Sequence, residues 1–268
     1  MNPAIALRMV GADFLKIRKK YSTLIWALVL ALLPVIIFFL VNAIEHSSSP
    51  ATHEPAGGTE HFITGLRLLG GLFFGPLVAI LIGVEAGTSD LSAGVFRDIV
   101  VTGRSRLALF ASRVPAALAL CWSVIVLSYA LILLGTFVFA GNLPTPSGTL
   151  ILNGLGFLLL ATGVLCAVSV GFSSLVGSKP GAIIALIAWQ LVAGSLISSI
   201  SSLGSARDGV LSQALSHFSP VNLNGGGHHD HGGPTILNMS GGTALLVLIA
   251  WLVVFLGLGS WRTRTMDA

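Results

Sequence analysis

Long apolar runs free of Asp, Glu, Lys, Arg and His alternate with short polar segments along this chain of 268 residues. A helix needs about 20 apolar residues to cross the hydrocarbon of a membrane, because it rises about 1.5 Å per residue. Strand-like alternation is absent. The pattern predicts an all-α integral membrane protein, residues 1–268 forming one membrane domain. Its six predicted transmembrane helices are Thr23–Ile44, Leu68–Val84, Val114–Phe139, Leu150–Val176, Gly181–Leu203 and Thr243–Ser260.

Residues 1–21, ahead of the first run, show a different pattern. Ile5, Met9, Phe14 and Ile17 recur at helical spacing, while most basic residues of this segment lie elsewhere around the helix axis. An amphipathic helix next to a spanning helix lies in the membrane interface on its apolar side. We therefore predict an interfacial helix here. A basic segment that only sets the topology is a compatible alternative.

The basic residues predict the orientation. With both termini in the cytoplasm, all of the 14 Lys and Arg residues except Arg67 and Arg207 lie on the cytoplasmic side, as the positive-inside rule requires. The net charge of +4 thus reflects topology, and we expect no nucleic-acid partner. Residues 204–242 form an outer segment between the fifth and sixth runs, in which we predict short helices.

Composition and motifs argue against covalent chemistry. Charged residues make up 9% of the chain, against about 25% in a soluble domain. No Gly-Lys pair occurs, so a phosphate-binding loop of the Walker type is missing, and all seven His residues lie outside the apolar runs. We predict that the chain is not an enzyme and holds no cofactor of its own. If ATP drives it, another chain binds the ATP.

The inner loop 88–106 between the second and third runs concentrates charge in a chain that has little. On a helix, Val95 and Ile99 would share one apolar face, flanked by Arg97 and Asp98. Such a helix could press against a partner while tied to two spanning helices. A competing interpretation is that its arginines only enforce topology and attract anionic lipid. The candidate coupling residues are Asp90, Gly94, Val95, Arg97, Asp98, Arg104, Ser105 and Arg106.

This loop resembles the first cytoplasmic loop of permease subunits of type-2 ATP-binding-cassette (ABC) exporters. That loop commonly has an acidic residue, three further positions, Gly-Thr-Leu-Arg, three aliphatic residues and a segment ending Thr-Pro-x-Ser-Arg. Val95 replaces the usual Thr, and Gly103 the usual Pro. The residues that match are Asp90, Gly94, Arg97, Ile99, Val100, Val101, Thr102, Ser105 and Arg106.

The resemblance implies a function and partners. In that family, two permease subunits assemble with two ATPase subunits that bind ATP and Mg²⁺, and the loop forms a cytoplasmic coupling helix seated in a cleft of the ATPase. The chain would then be a permease in the bacterial inner membrane, in contact with membrane lipids and with a second permease copy, as a homodimer. The substrate stays open.

Several features permit other interpretations. His228, His229 and His231, in the tract HHDH, offer ligands suited to zinc or copper, although flanking glycines favour a solvated linker. A membrane sensor or metal-handling protein that uses such His-rich outer loops, without pump activity, is the alternative function. Gln190 and Asn153 are candidate pathway residues, or they form hydrogen bonds between helices.

Two further predictions concern the second run. Gly71 and Gly75, and likewise Gly83 and Gly87, have the GxxxG spacing that lets helices approach closely, either at a dimer seam or inside one chain. We expect Glu85, at the inner end of this run, to form a salt bridge with a nearby arginine.

Overall fold

The computed structural model describes residues 3–71, 73–92, 105–200, 207, 209–221 and 239–265. This part of the chain is helical and has no strand, in agreement with the predicted all-α class. A five-residue π-helix, Trp189–Ala193, joins α7 to α8. The α-helices are α1 (Pro3–Arg18), α2 (Tyr21–Ser48), α3 (Gly58–Gly70), α4 (Phe74–Ser92), α5 (Arg106–Val138), α6 (Gly148–Val176), α7 (Lys179–Ala188), α8 (Gly194–Ser199), α9 (Leu211–Ser216) and α10 (Gly241–Thr265).

Five helical segments of the described chain are long and apolar enough to cross a membrane, one fewer than predicted. Each of the five overlaps a predicted run, and Gly58–Asp90, which includes α3 and α4, contains the run Leu68–Val84. As far as Ser199, the predicted run Gly181–Leu203 is α7, the π-helix and α8 in succession. The Gly194 N–H donates to the Trp189 carbonyl in the five-residue register that defines a π-turn. The six-helix layout is therefore not confirmed.

The second predicted run lies on two helices, because α3 ends at Gly70 and α4 begins at Phe74. The α3 helix also starts well before the apolar residues do. Phe62, Leu66 and Leu69 of α3 are fully buried in the bundle, so this helix has one apolar face and one polar face. The Gly71 N–H donates to the Arg67 carbonyl at 2.8 Å where α3 ends. A Cβ on Gly75 would lie 2.1 Å from the Leu69 carbonyl oxygen, so the break depends on glycine there.

Small residues let α4 pack along α6, its most extensive neighbour. A Cβ on Gly83 would lie 2.6 Å from the Cys166 carbonyl oxygen, and one on Gly87 would lie 2.0 Å from the Ser173 hydroxyl. Such close approach requires glycine on α4. Gly83 and Gly87 therefore serve packing inside one chain, which was one of the two interpretations of their GxxxG spacing.

The helices α2 and α10 lie at the outside of the bundle. Buried residues make up only 11% of the most apolar 18-residue stretch of α10, and 22% of the corresponding stretch of α2. The α10 helix contacts α6 closely where a Cβ on Gly259 would lie 2.6 Å from the Gly171 carbonyl oxygen. Seven large apolar side chains of α10 are nevertheless exposed, as expected of a helix that faces lipid: Leu245, Leu246, Ile249, Val253, Val254, Leu258 and Trp261.

Candidate functional site at the basic end of the bundle

The last turns of α4 bring two carboxylates into the bundle. Glu85 is 2% exposed and Asp90 is 4% exposed. Both belong to a helical segment counted among the five candidate spans. The α4 helix continues past Val84, where the predicted apolar run ends, so both charged residues lie on this helix. A buried carboxylate requires basic or hydrogen-bonding partners, since its desolvation is costly.

The partners of the Glu85 carboxylate are two lysines and a threonine. The Thr23 hydroxyl donates to Glu85 Oε2 at 2.8 Å. The Lys179 ammonium also donates to Oε2, and the Lys20 ammonium lies 3.8 Å from Oε1. Lys179 further donates to the Thr23 hydroxyl at 3.3 Å. The predicted salt bridge of Glu85 therefore exists, but its partners are lysines and not an arginine.

Asp90 forms the second pair of this cluster. Arg113 Nη2 donates to Asp90 Oδ2 at 2.6 Å, and Arg113 is itself only 3% exposed. The Lys16 ammonium of α1 donates to the other carboxylate oxygen. A neighbouring contact links the same helices, because the Ser112 hydroxyl donates to Asp13 Oδ2 at 2.6 Å.

Lys16 lies on α1, outside the five candidate spans. Burial lowers the pKa of its ammonium from the ordinary value, and the positive charge of Arg113 lowers the pKa further. The carboxylate of Asp13 acts in the opposite direction and raises the pKa. The cost of placing a second cation, Lys16, beside Arg113 is thus partly offset by acidic neighbours.

The cluster can act mechanically, because its ion pairs join helices that are distant in sequence. We call the end of the bundle that carries Lys16, Lys20, Arg113 and Lys179 the basic end. Through Glu85, α4 is tied to α2 and α7, and through Asp90 it is tied to α1 and α5. A displacement of α4 at this end would have to carry its partners with it or expose buried charge.

The comparisons give no family name for this arrangement. Neither a scan against protein-family models nor a search of curated proteins finds a match. The structure establishes a helical chain with several long apolar helices, as in a multi-pass membrane protein. The ABC permease resemblance depends on the sequence motif, and its consequences are proposals.

Three of the eight predicted coupling residues lie in the described chain, and each has a structural partner. Asp90 pairs with Arg113. The Ser105 hydroxyl caps α5 by accepting from the Ala108 N–H at 3.2 Å. Arg106 Nη1 donates to the Arg264 carbonyl at 3.2 Å. Gly94, Val95, Arg97, Asp98 and Arg104 lie outside the described residues.

The two candidate pathway residues differ in their exposure to solvent or lipid. Gln190 is 7% exposed and lies in the π-helix, whereas Asn153 is exposed on α6. His228, His229 and His231 lie outside the described residues. Among the residues that are described, no group of three or more potential metal ligands comes together.

Sequence reasoning did not predict the partners of the buried carboxylates. In the sequence, Lys20 and Lys179 lie within three residues of a predicted span, and Lys16 lies on the amphipathic segment before the first span. Glu85 and Asp90 lie at the end of an apolar run in a chain with only 10 acidic residues. That placement is a signal that these acids meet buried cations, since lipid offers no other compensation.

Proposed function

We propose that this chain is the membrane-spanning permease subunit of an ATP-driven ABC exporter. It works as a homodimer with separate ATPase subunits, in the bacterial inner membrane, with its basic end and both termini in the cytoplasm. The chain forms the substrate pathway and carries no ATP-binding motif, so ATP and Mg²⁺ belong to the partner.

The observation that carries this proposal is the buried ion pair between Asp90 and Arg113. Asp90 and Arg113 lie on either side of residues 93–104 in the sequence, one near the end of α4 and the other near the start of α5. The pair therefore joins the last turns of α4 to the first turns of α5 in the interior of the bundle. A displacement applied to either helix at this end would reach the other through the pair.

The number of helices tied to the loop matters for the energy that must be transmitted. Driving a two-state gate from about 1:99 to 99:1 requires about 5.5 kcal/mol of differential binding. An exposed ion pair contributes at most about 1 kcal/mol. An ATPase that displaces the loop by many contacts would act through Asp90 on α1 and α5 and through Glu85 on α2 and α7.

The proposal is tested with the full chain purified under mild conditions from its native membranes. We expect Mg²⁺-dependent ATP hydrolysis in the purified sample, and photo-crosslinking with azido-ATP should label a second polypeptide and not this chain. The double variant Val95→Asp with Arg97→Glu should still insert in the membrane but should lose most of the copurifying ATPase activity. Both substitutions change the proposed contact surface of the loop.

Arg8→Glu is the matched control, since Arg8 is an exposed arginine of α1 and lies outside residues 88–106. It should retain the ATPase. The proposal is wrong if the double variant copurifies with undiminished ATPase activity. The proposal is equally wrong if the wild-type chain, alone in liposomes, shows full transport activity without an ATPase subunit.

A further inference from the structure

The α1 helix has two faces of different chemistry. Its inner face packs mainly against α5, where Ile17 is only 2% exposed and Phe14 contacts the core. These are two of the apolar residues that the sequence placed in the membrane interface. The bundle itself therefore occupies much of the predicted apolar side, and a contact of α1 with the membrane would use the opposite face.

That opposite face presents an apolar stripe to the surroundings. Leu7, Gly11 and Leu15 follow one another at four-residue spacing, so they lie above one another on the helix. Leu7 is 78% exposed and Leu15 is 52% exposed. No atom lies within 4 Å of where a Cβ on Gly11 would be. We call this side of α1 the outward face.

Three exposed cations border the stripe, namely Arg8, Arg18 and Lys19. Their charged groups form no hydrogen bond or ion pair with any residue of the described chain. The single acid of α1, Asp13, accepts a hydrogen bond from Ser112 of α5 on the inner side. The outward face thus carries positive charge and apolar surface without a compensating acid.

Aromatic residues indicate that this face lies at the level of the lipid headgroups. The spanning helix α2 begins at Tyr21, just after the end of α1, and Tyr21 and Trp26 are 72% and 59% exposed. Trp261, near the end of α10, is 62% exposed. Exposed Tyr and Trp at the ends of spans are typical of the membrane interface. The backbone of Lys20 has φ −77° and ψ 76°, which is not helical, so α1 does not continue the span.

We infer that the outward face of α1 binds the anionic headgroup surface of the membrane leaflet at the basic end. Arg8, Arg18 and Lys19 contact lipid phosphates, while Leu7 and Leu15 enter the boundary between headgroups and acyl chains. Each basic residue near an anionic surface favours binding by about fivefold, and buried apolar area adds to this. The contact is independent of the proposed ABC function, since it involves no residue of the loop 88–106.

Quenching of a fluorophore by brominated lipids tests the inference on the full chain in nanodiscs. Gly11→Cys carries a bimane label, for which the open space around this position leaves room, and the chain without the added cysteine gives the background. Brominated phosphatidylglycerol and brominated phosphatidylcholine, with identical acyl chains, are compared at the same mole fraction. We expect the relative binding constant of phosphatidylglycerol at this position to exceed that of phosphatidylcholine at least about fivefold.

Neutralising the three cations should remove this preference. Arg8→Gln, Arg18→Gln and Lys19→Gln together should bring the ratio of the two binding constants to within about twofold of one. Quenching by phosphatidylcholine should persist, because both leucines remain. The matched control Arg8→Lys with Arg18→Lys and Lys19→Arg keeps every charge and should keep the preference.

A second position separates a local contact from general enrichment of the anionic lipid. The same label at Gly156→Cys on α6, which also has open space around its Cβ, should be quenched equally by both lipids. The melting temperature of each variant establishes that it is folded.

Equal quenching by the two lipids at position 11, or an undiminished ratio in the neutral triple variant, would overturn the inference. So would quenching by aqueous iodide but by neither lipid, which would show that the outward face is open to water and available to a protein partner. A preference that inorganic phosphate removes, while sodium chloride of equal ionic strength does not, would show a site for free anions and would likewise overturn it.

Discussion

Removing the charge of Asp90 should destabilise the bundle more than removing any exposed charge. Asp90→Asn preserves the size of the side chain but removes the carboxylate charge that the buried Arg113 guanidinium contacts. The carboxylate and the guanidinium are 2.6 Å apart, and both residues are less than 5% exposed. Neither charge can gain compensation from water without opening the helices around it.

The magnitude follows from this burial. Breaking a buried pair by removing one partner costs about 3–5 kcal/mol, because the other charge stays buried and unpaired. The Lys16 ammonium, also bound to Asp90, is about a third exposed and can turn to solvent, so we expect a loss near the lower end, about 3 kcal/mol. Replacing both partners by apolar residues, as in Asp90→Leu with Arg113→Met, should cost less than the single variant.

Unfolding of the purified chain in mixed micelles, followed by circular dichroism as a denaturing detergent is added, measures this free energy. Lys179→Gln is the control, since Glu85 keeps Thr23 and Lys20 as partners and Lys179 is 38% exposed. We expect that control to lose about 1 kcal/mol or less. A loss below about 1 kcal/mol for Asp90→Asn, or an apolar double variant that is less stable than the single one, would refute the reasoning.

Three further predictions concern the packing of the bundle. Gly87→Ala should destabilise the bundle by about 1–3 kcal/mol in the same unfolding assay, since its Cβ would lie 2.0 Å from a hydroxyl oxygen of α6. Gly156→Ala is the control, and it should be neutral or slightly stabilising because there is open space around its Cβ. Ser128→Ala should lower the free energy of unfolding by about 1 kcal/mol, because the fully buried hydroxyl donates to a carbonyl of α2 at 2.5 Å; unchanged stability would contradict this. Cys121 and Cys166 are fully buried, so a maleimide should label neither thiol in the folded chain and both after unfolding, and labelling before unfolding would show that the α5–α6 packing is incorrect.

The second membrane segment shows where sequence patterns reach their limit. The apolar run Leu68–Val84 identified a spanning segment, but α3 begins ten residues earlier, at Gly58. An amphipathic helix buried on one side of a bundle carries polar residues on its other side, so average hydropathy does not detect it. At the break after α3, a Cβ on Gly75 would lie 2.1 Å from the Leu69 carbonyl oxygen, a contact that average hydropathy does not report.

The partners of Glu85 and Asp90 illustrate the same limit for the site. The sequence placed both acids near the inner end of a span and predicted that Glu85 is paired. It did not predict that Lys16, Arg113 and Lys179, which are distant along the chain, meet them. Pairing of this kind depends on which helices lie side by side, and periodicity within one helix contains no information about its neighbours.

By itself, the sequence determined that this is a helical membrane protein with long apolar segments, because the cost of exposing polar backbone to hydrocarbon leaves no other structure for such runs. It also determined that the chain lacks a phosphate-binding loop of its own. Only the tertiary structure decided that α4 packs on α6 through its glycines, that the fifth predicted span contains a π-turn, and that two buried carboxylates hold the basic end together. The reason is physical: helix formation is governed by local composition, whereas close packing and charge compensation require residues from separate helices to meet.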